Sequence, residues 1–103
     1  MAHEVIFAPE AQADLLSLYD YIDKHSGPTR AHDYIGRVAA YCLSFGTFPD
    51  RGTRRNDLRP GLRVIGFERR VTIAFHVTVS AITIDRIFYR GRNWEGQINE
   101  PPE

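Results

Sequence analysis

This sequence is short of the residues that most chemistry needs. It has one cysteine, Cys42, so no disulfide can form within the chain, and a lone thiol of this kind is expected to serve as a small buried hydrophobe. It has one lysine, Lys24, set in a helical segment. Its four histidines, His3, His25, His32 and His76, fall at none of the short spacings that bring two ligands to one metal ion, so no metal site and no cofactor are expected. No phosphate-cradling glycine loop, nucleophile elbow or spaced acid pair is present. No apolar run approaches the roughly 20 residues that span a bilayer, and the opening MAHEVIFAPEA lacks the basic-then-apolar order of a signal peptide. A soluble cytoplasmic protein is expected. Its 103 residues suit one domain, over residues 1–98 with a frayed tail at 99–103, burying about 65 % of the surface its unfolded chain exposes.

What is abundant is arginine. The formal net charge is zero, but residues 1–50 carry three basic and seven acidic side chains while residues 51–103 carry ten and six, so the halves are −4 and +4. Seven arginines (Arg51, Arg54, Arg55, Arg59, Arg63, Arg69, Arg70) crowd the stretch 51–70 against Asp57 and Glu68. A guanidinium is a rigid five-donor fork matched to carboxylate or phosphate. The basic half is therefore expected to meet an anionic partner, or alternatively to pair with the acidic half within the monomer.

The pattern of apolar residues gives an α+β order. Val5, Ile6 and Phe7 form a short run that Ala8-Pro9 ends, and proline is tolerated in a first helical turn because its missing N–H would be unpaired there anyway. Ala11, Leu15, Leu18 and Ile22 then recur at helical spacing. Ala8 as N-cap forgoes the side-chain hydrogen bond a serine would give, a loss of roughly 1 kcal/mol. After His25-Ser26-Gly27-Pro28, a second amphipathic segment places Ala31, Ile35, Val38, Cys42 and Phe45 on one face and ends at Gly46 and Pro49. A link this short predicts an antiparallel hairpin. Tyr34 and Tyr41 on one flank and Leu43 on the other widen the second stripe, and Leu16 stands off the core face of the first; these positions either cover the core's edges or form a docking surface.

Asp50–Pro60 reads as a polar loop. Beyond it the sequence predicts a three-strand antiparallel meander over Leu62–Phe67, Arg69–Thr78 and Ala81–Tyr89, with turns around Glu68 and Val79-Ser80. In the last strand Ile82 and Ile84 share one parity and Ile87 and Tyr89 the other, so the Asp85-Arg86 step is expected to be a bulge or a point where both faces become buried. His76 alternates with the apolar residues of its strand and is expected to be structural.

Proton-transfer groups are scarce beside these arginines: Tyr89 is the one nearby hydroxyl of useful acidity, and Lys24 lies on a helix. The ordered set Phe7-Ala8-Pro9-Glu10-Ala11 with Asp14-Leu15, Phe48-Pro49-Asp50-Arg51-Gly52, Leu58-Arg59-Pro60-Gly61-Leu62-Arg63 and Ile84 to Arg92, closing on Tyr89-Arg90-Gly91-Arg92, resembles the ParE branch of the RelE/ParE toxin superfamily over about residues 3–93. The resemblance implies a RelE/ParE-like fold, with an N-terminal strand and the helix hairpin packed on the meander. It also implies a toxin of a type II toxin–antitoxin module, neutralised by a small ParD-like antitoxin and acting on DNA gyrase. The endonuclease pattern of the superfamily is not met: Arg63 and Ile65 stand where paired lysines are usual, Thr72 where an arginine is usual, and Trp94 and Glu95 follow the last strand in place of a tyrosine, leaving Arg90 as the one fit. No catalytic residue is carried over. A ribosome-dependent endonuclease and a non-toxic binding module are the alternatives.

On this reading a tail of the antitoxin folds on Leu16, Tyr19, Tyr34 and Tyr41 while its acidic residues meet Arg63 and Arg70. Arg86, Arg90, Arg92 and Trp94 face the target, arginine and tryptophan being residue types that dominate interface energies. The chain alone is not expected to bind DNA sequence-specifically or to engage a membrane.

Overall fold

A computed structural model describes residues 3–89 together with Glu95 and Ile98. Strand β1 (Glu4–Phe7) leads into helix α1 (Pro9–Ser26), and Gly27 separates it from α2 (Pro28–Leu43), which tightens into a 3-10 turn at Ser44–Gly46. Strands β2 (Thr53–Arg54), β3 (Leu62–Phe67), β4 (Val71–Val77) and β5 (Ala81–Tyr89) follow. The helix hairpin is as expected, Gly27 turning the chain at a φ of 91°. Ala8 caps α1 with no side-chain hydrogen bond. Among the described residues, no helix is long and apolar enough to cross a membrane.

The sheet differs from the expected three-strand meander. It is five-stranded and mixed, in the order β1-β5-β4-β3-β2. The meander forms its centre, but β1 adds in parallel beside β5, with Val5 opposite Ile82 and Phe7 opposite Ile84. The reason is backbone satisfaction: Val5 and Phe7 enter the core, and the polar groups they carry inward must pair somewhere. The Asp50–Pro60 stretch is likewise more than loop. Thr53 and Arg54 pair with Val64 and Arg63 as β2, and the Arg55 N–H donates to the Leu62 carbonyl at 2.8 Å.

Two further departures are local. Strand β4 starts at Val71, because Glu68 and Arg69 turn the chain with φ of 49° and 63°. The parity change in β5 is a bulge: Ala74 faces Arg86 and Phe75 faces Ile84, leaving Asp85 as the extra residue. That insertion returns Ile87 to the same core cluster as Ile82 and Ile84.

Both faces of the sheet carry apolar residues. On one, Ala11 and Leu18 of α1 and Val38 and Cys42 of α2 pack with Phe45, Ile73, Phe75, Ile82 and Ile84; the Phe45 and Phe75 rings lie 4.8 Å apart. Each Val, Leu, Ile or Phe side chain among them contributes about 1.5–3 kcal/mol on burial. On the other, Leu62, Ala74, Phe88 and Ile98 form a smaller cluster flanked by Leu58 and Val64.

Candidate protein-binding site

The arginines divide into those whose charge is met inside the chain and those whose charge is not. Arg63 donates to Asp50 Oδ1 at 3.0 Å and to the Pro49 carbonyl, holding the start of the 50–60 segment against β3. Arg55 forks Asp57 and also reaches Glu95 at 2.9 Å; the Arg55 hydrogen bonding to Asp57 is the main reason the Asp57 carboxyl is held below its ordinary pKa. Arg59 donates to the Ile98 carbonyl at 3.2 Å. Arg51 lies over the Tyr41, Phe45 and Phe48 rings, 5.4–5.7 Å from their centroids, and donates to Ser44 Oγ. Arg37 forks Glu68 across the hairpin-to-sheet junction. Of the arginines in 51–70, Arg63 is the one that pairs with an acid of residues 1–50 among the described residues. Arg30, Arg54, Arg69 and Arg70 have no side-chain hydrogen bond or ion pair to a described residue.

Of these, Arg30 and Arg70 line one concavity. The end of α1, the beginning of α2, the β3–β4 turn and the end of β5 enclose a cleft of about 540 Å³. Tyr21 and His25 form one wall as a stacked pair, with ring centroids 4.2 Å apart, and Tyr89 stands 5.4 Å from Tyr21. Tyr34 lines the cleft too, its ring packed near Phe67 and under the Arg37 guanidinium. Its hydroxyl is buried without a hydrogen-bond partner among the described residues. Burial first, and the neighbouring Glu68 charge second, push the Tyr34 pKa up, so this hydroxyl stays a donor. A smaller cleft of about 250 Å³ adjoins Tyr21 and Tyr89, but its two charges, Asp14 and Arg86, neutralise each other.

The structure places the expected partner-binding residues unequally. Leu16 is 69 % exposed on α1 and Tyr19 is half-buried on the same helix. Tyr34 and Tyr41 both pack against Phe67, the second at 4.9 Å, so each covers the core's edge while remaining half-exposed. Arg70 joins Tyr34 in the large cleft; Arg63 lies elsewhere, bound to Asp50. Arg86 is turned inward to Asp14. Arg90, Arg92 and Trp94 lie outside the described residues. His76 Nδ1 is 2.8 Å from Asp85 Oδ2, so the structural histidine expected from its strand position has the bulge residue as its partner. Among the described residues, no group of three histidine, cysteine or acidic side chains is placed to hold a metal ion.

Sequence reasoning missed Tyr21, His25, Arg30 and Arg37 as cleft residues. The first two sit at i and i+4 near the end of α1, a spacing that stacks rings on one helix face, and this was the signal available. Arg30 and Arg37 carried no signal, since a helical arginine usually belongs to a solvated face.

With this geometry in place, comparison with known proteins defines the class. The family model of the ParE toxin of the type II toxin–antitoxin system parDE matches residues 5–94. The chain belongs to that family of toxins. Among solved structures, a chain of the chromosomal ParDE toxin–antitoxin system from P. aeruginosa is similar, with 25 % identity and a TM-score of 0.75 over 85 % of this chain and 96 % of that one. A chain of the RelBE2 toxin–antitoxin complex from Mycobacterium tuberculosis shares the fold, at 16 % identity and a TM-score of 0.62 over 87 % of this chain and 100 % of that one. No curated protein sequence matches the chain.

Proposed function

We propose that this toxin inhibits DNA gyrase by stoichiometric binding and is held inactive in the cytoplasm by a ParD-like antitoxin, using no cofactor and cutting no bonds. The observation that carries the reading is the ParE family match over residues 5–94. The departures from the endonuclease pattern agree with it: Ile65 packs against the core, and Arg63, which replaces a lysine of that pattern, is committed to Asp50. The antitoxin contacts Leu16, Tyr19, Tyr34, Tyr41 and Arg70, with Arg63 at the margin because its charge is already met. The target contacts Arg90, Arg92 and Trp94, and Arg86 acts behind them by fixing the end of β5 to α1. Purified chain added to gyrase in a supercoiling assay should inhibit and leave stabilised cleaved DNA at a molar excess of toxin. Undiminished supercoiling would sink the gyrase reading, and codon-positioned cuts on primer extension of messenger RNA would replace it with nuclease activity.

A further inference from the structure

Two residues near the C-terminus are tied back onto the sheet. Ile98 is 3 % exposed and packs with Leu62, Ala74 and Phe88, with Leu58 and Val64 alongside. Its carbonyl accepts from Arg59 Nη2 at 3.2 Å. Three residues earlier, the Glu95 carboxylate accepts from Arg55 Nη2 at 2.9 Å. Both arginines belong to the 50–60 segment, which is itself held to β3: the Arg55 N–H donates to the Leu62 carbonyl at 2.8 Å, and the Leu62 N–H to the Arg59 carbonyl at 3.0 Å. The Glu95–Arg55 pair is half open to water and contributes little by itself. Burial of the Ile98 side chain is the stronger hold.

Chain connectivity gives these contacts a second consequence. At one end of residues 90–94 stands β5, whose Tyr89 pairs with Val71 and whose Arg86 and Ile87 are bound by Asp14. At the other end stands Glu95. Five residues are thus flanked by fixed points on both sides, and three of them are Arg90, Arg92 and Trp94. A segment tied at two points has fewer conformations open to it than a tail tied at one, and a binding segment ordered beforehand loses less entropy on association. We propose that Ile98, with Arg59 and the Glu95–Arg55 pair, is the rear anchor of the target-binding segment, a set of positioning residues that holds Arg90, Arg92 and Trp94 ready for the target. The role rests on the target-binding reading above, whereas the anchor itself does not. These residues act through the segment and make no contact with the target themselves.

Two measurements on the full chain test this. Trp94 is the single tryptophan and adjoins Glu95, so its fluorescence reports on the anchored segment alone. In the free wild-type chain its anisotropy should decay with the tumbling of the whole molecule. Ile98→Ala should add a fast component, and Ile98→Val should keep the slow decay. Arg54→Gln, which removes a neighbouring charge that has no side-chain partner among the described residues, should change nothing. A wild-type decay dominated by fast local motion, or one that Ile98→Ala leaves as it was, overturns the anchor.

The second measurement is inhibition of purified gyrase, with each variant shown to be folded by circular dichroism at the assay temperature. Ile98→Ala should raise the half-inhibitory concentration about tenfold, the equivalent of ordering one more residue of backbone on binding. Ile98→Val and Arg54→Gln should match wild type. Glu95→Gln leaves the apolar cluster intact and so tests the anchor without disturbing the fold; it should act in the same direction as Ile98→Ala, by up to about fivefold. A loosened Trp94 with undiminished inhibition overturns the positioning role, and so does lost inhibition with Trp94 still slow. If the wild-type chain leaves gyrase untouched while its Trp94 behaves as expected, the gyrase reading falls and the anchor stands.

Discussion

Asp14 and Arg86, 72 residues apart in sequence, form a two-pronged ion pair that fastens α1 to β5. Arg86 Nε donates to Asp14 Oδ2 at 2.8 Å and Nη2 to Oδ1 at 3.1 Å. The Ile87 backbone N–H donates to the same Oδ2 at 2.8 Å. The Arg86 guanidinium also lies 4.8 Å from the centroid of the Phe88 ring. The contact falls immediately after the bulge residue Asp85, where the β4–β5 register shifts, so one carboxylate secures the helix and the displaced strand together.

Removing that carboxylate is expected to cost more than a surface ion pair would. Both side chains are mostly buried, and Asp14→Ala removes the carboxylate that the Arg86 guanidinium and the Ile87 backbone N–H share. The expected loss is about 2–3 kcal/mol, read as a lower urea midpoint. A double-mutant cycle with Arg86→Ala should show a coupling of at least about 1 kcal/mol; strictly additive single losses would refute the pairing.

Gly46 is required by close approach. Its carbonyl accepts from the His3 N–H at 2.8 Å, and a Cβ there would stand 2.6 Å from the His3 carbonyl oxygen. Because that neighbour is backbone, the N-terminal segment must move. Gly46→Ala should destabilise by about 1–3 kcal/mol, and thermal unfolding at an unchanged midpoint would contradict this.

The β3–β4 turn stores strain at Arg69, a non-glycine residue at a φ of 63°. A left-handed conformation costs an L-residue roughly 1–2 kcal/mol, partly offset in glycine by its greater unfolded-state entropy. Arg69→Gly should therefore stabilise by about 0.5–1 kcal/mol and Arg69→Val should destabilise. Calorimetry giving the same sign for both would refute the assignment.

Cys42 sets a pH dependence on the alkaline side. Burial pushes its thiol up to about 12, against about 8.5 in an unfolded chain. A raised folded pKa means the contribution is intact below the unfolded value and is lost as pH climbs toward the folded one. Between pH 9 and 11, wild type should lose up to about 1.4 kcal/mol per pH unit relative to Cys42→Ala, measured by urea unfolding in reductant. Parallel pH profiles for the two proteins would show that the thiol titrates freely in the fold.

The sequence made legible what repeats locally. The stripe Ala11-Leu15-Leu18-Ile22, the Gly27-Pro28 break and the alternation in Val71–Val77 each encode an element by its own periodicity, and the structure keeps all three. The parity change at Asp85-Arg86 predicted a bulge or double burial without separating them; the pairing of Phe75 with Ile84 makes it a bulge. The two edge strands were illegible as sheet members. Thr53 and Arg54 make too short a segment to show a period, and nothing in Glu4–Phe7 says that its partner is β5, 77 residues on from Glu4 to Ala81.

Charge shows the same division. The sequence by itself determined that the second half is rich in arginine and poor in proton-transfer groups, because composition survives any folding. Only the tertiary structure decided that Arg63, Arg55 and Arg86 are engaged with Asp50, Asp57 and Asp14, and that Arg30, Arg70 and the Tyr34 hydroxyl share one cleft. An ion pair depends on distances of a few ångströms: for Arg86 and Asp14 the lie of the helix hairpin on the sheet sets them, for Arg63 and Asp50 the path of the 50–60 segment along β3, and for Arg55 and Asp57 the local turn of that segment.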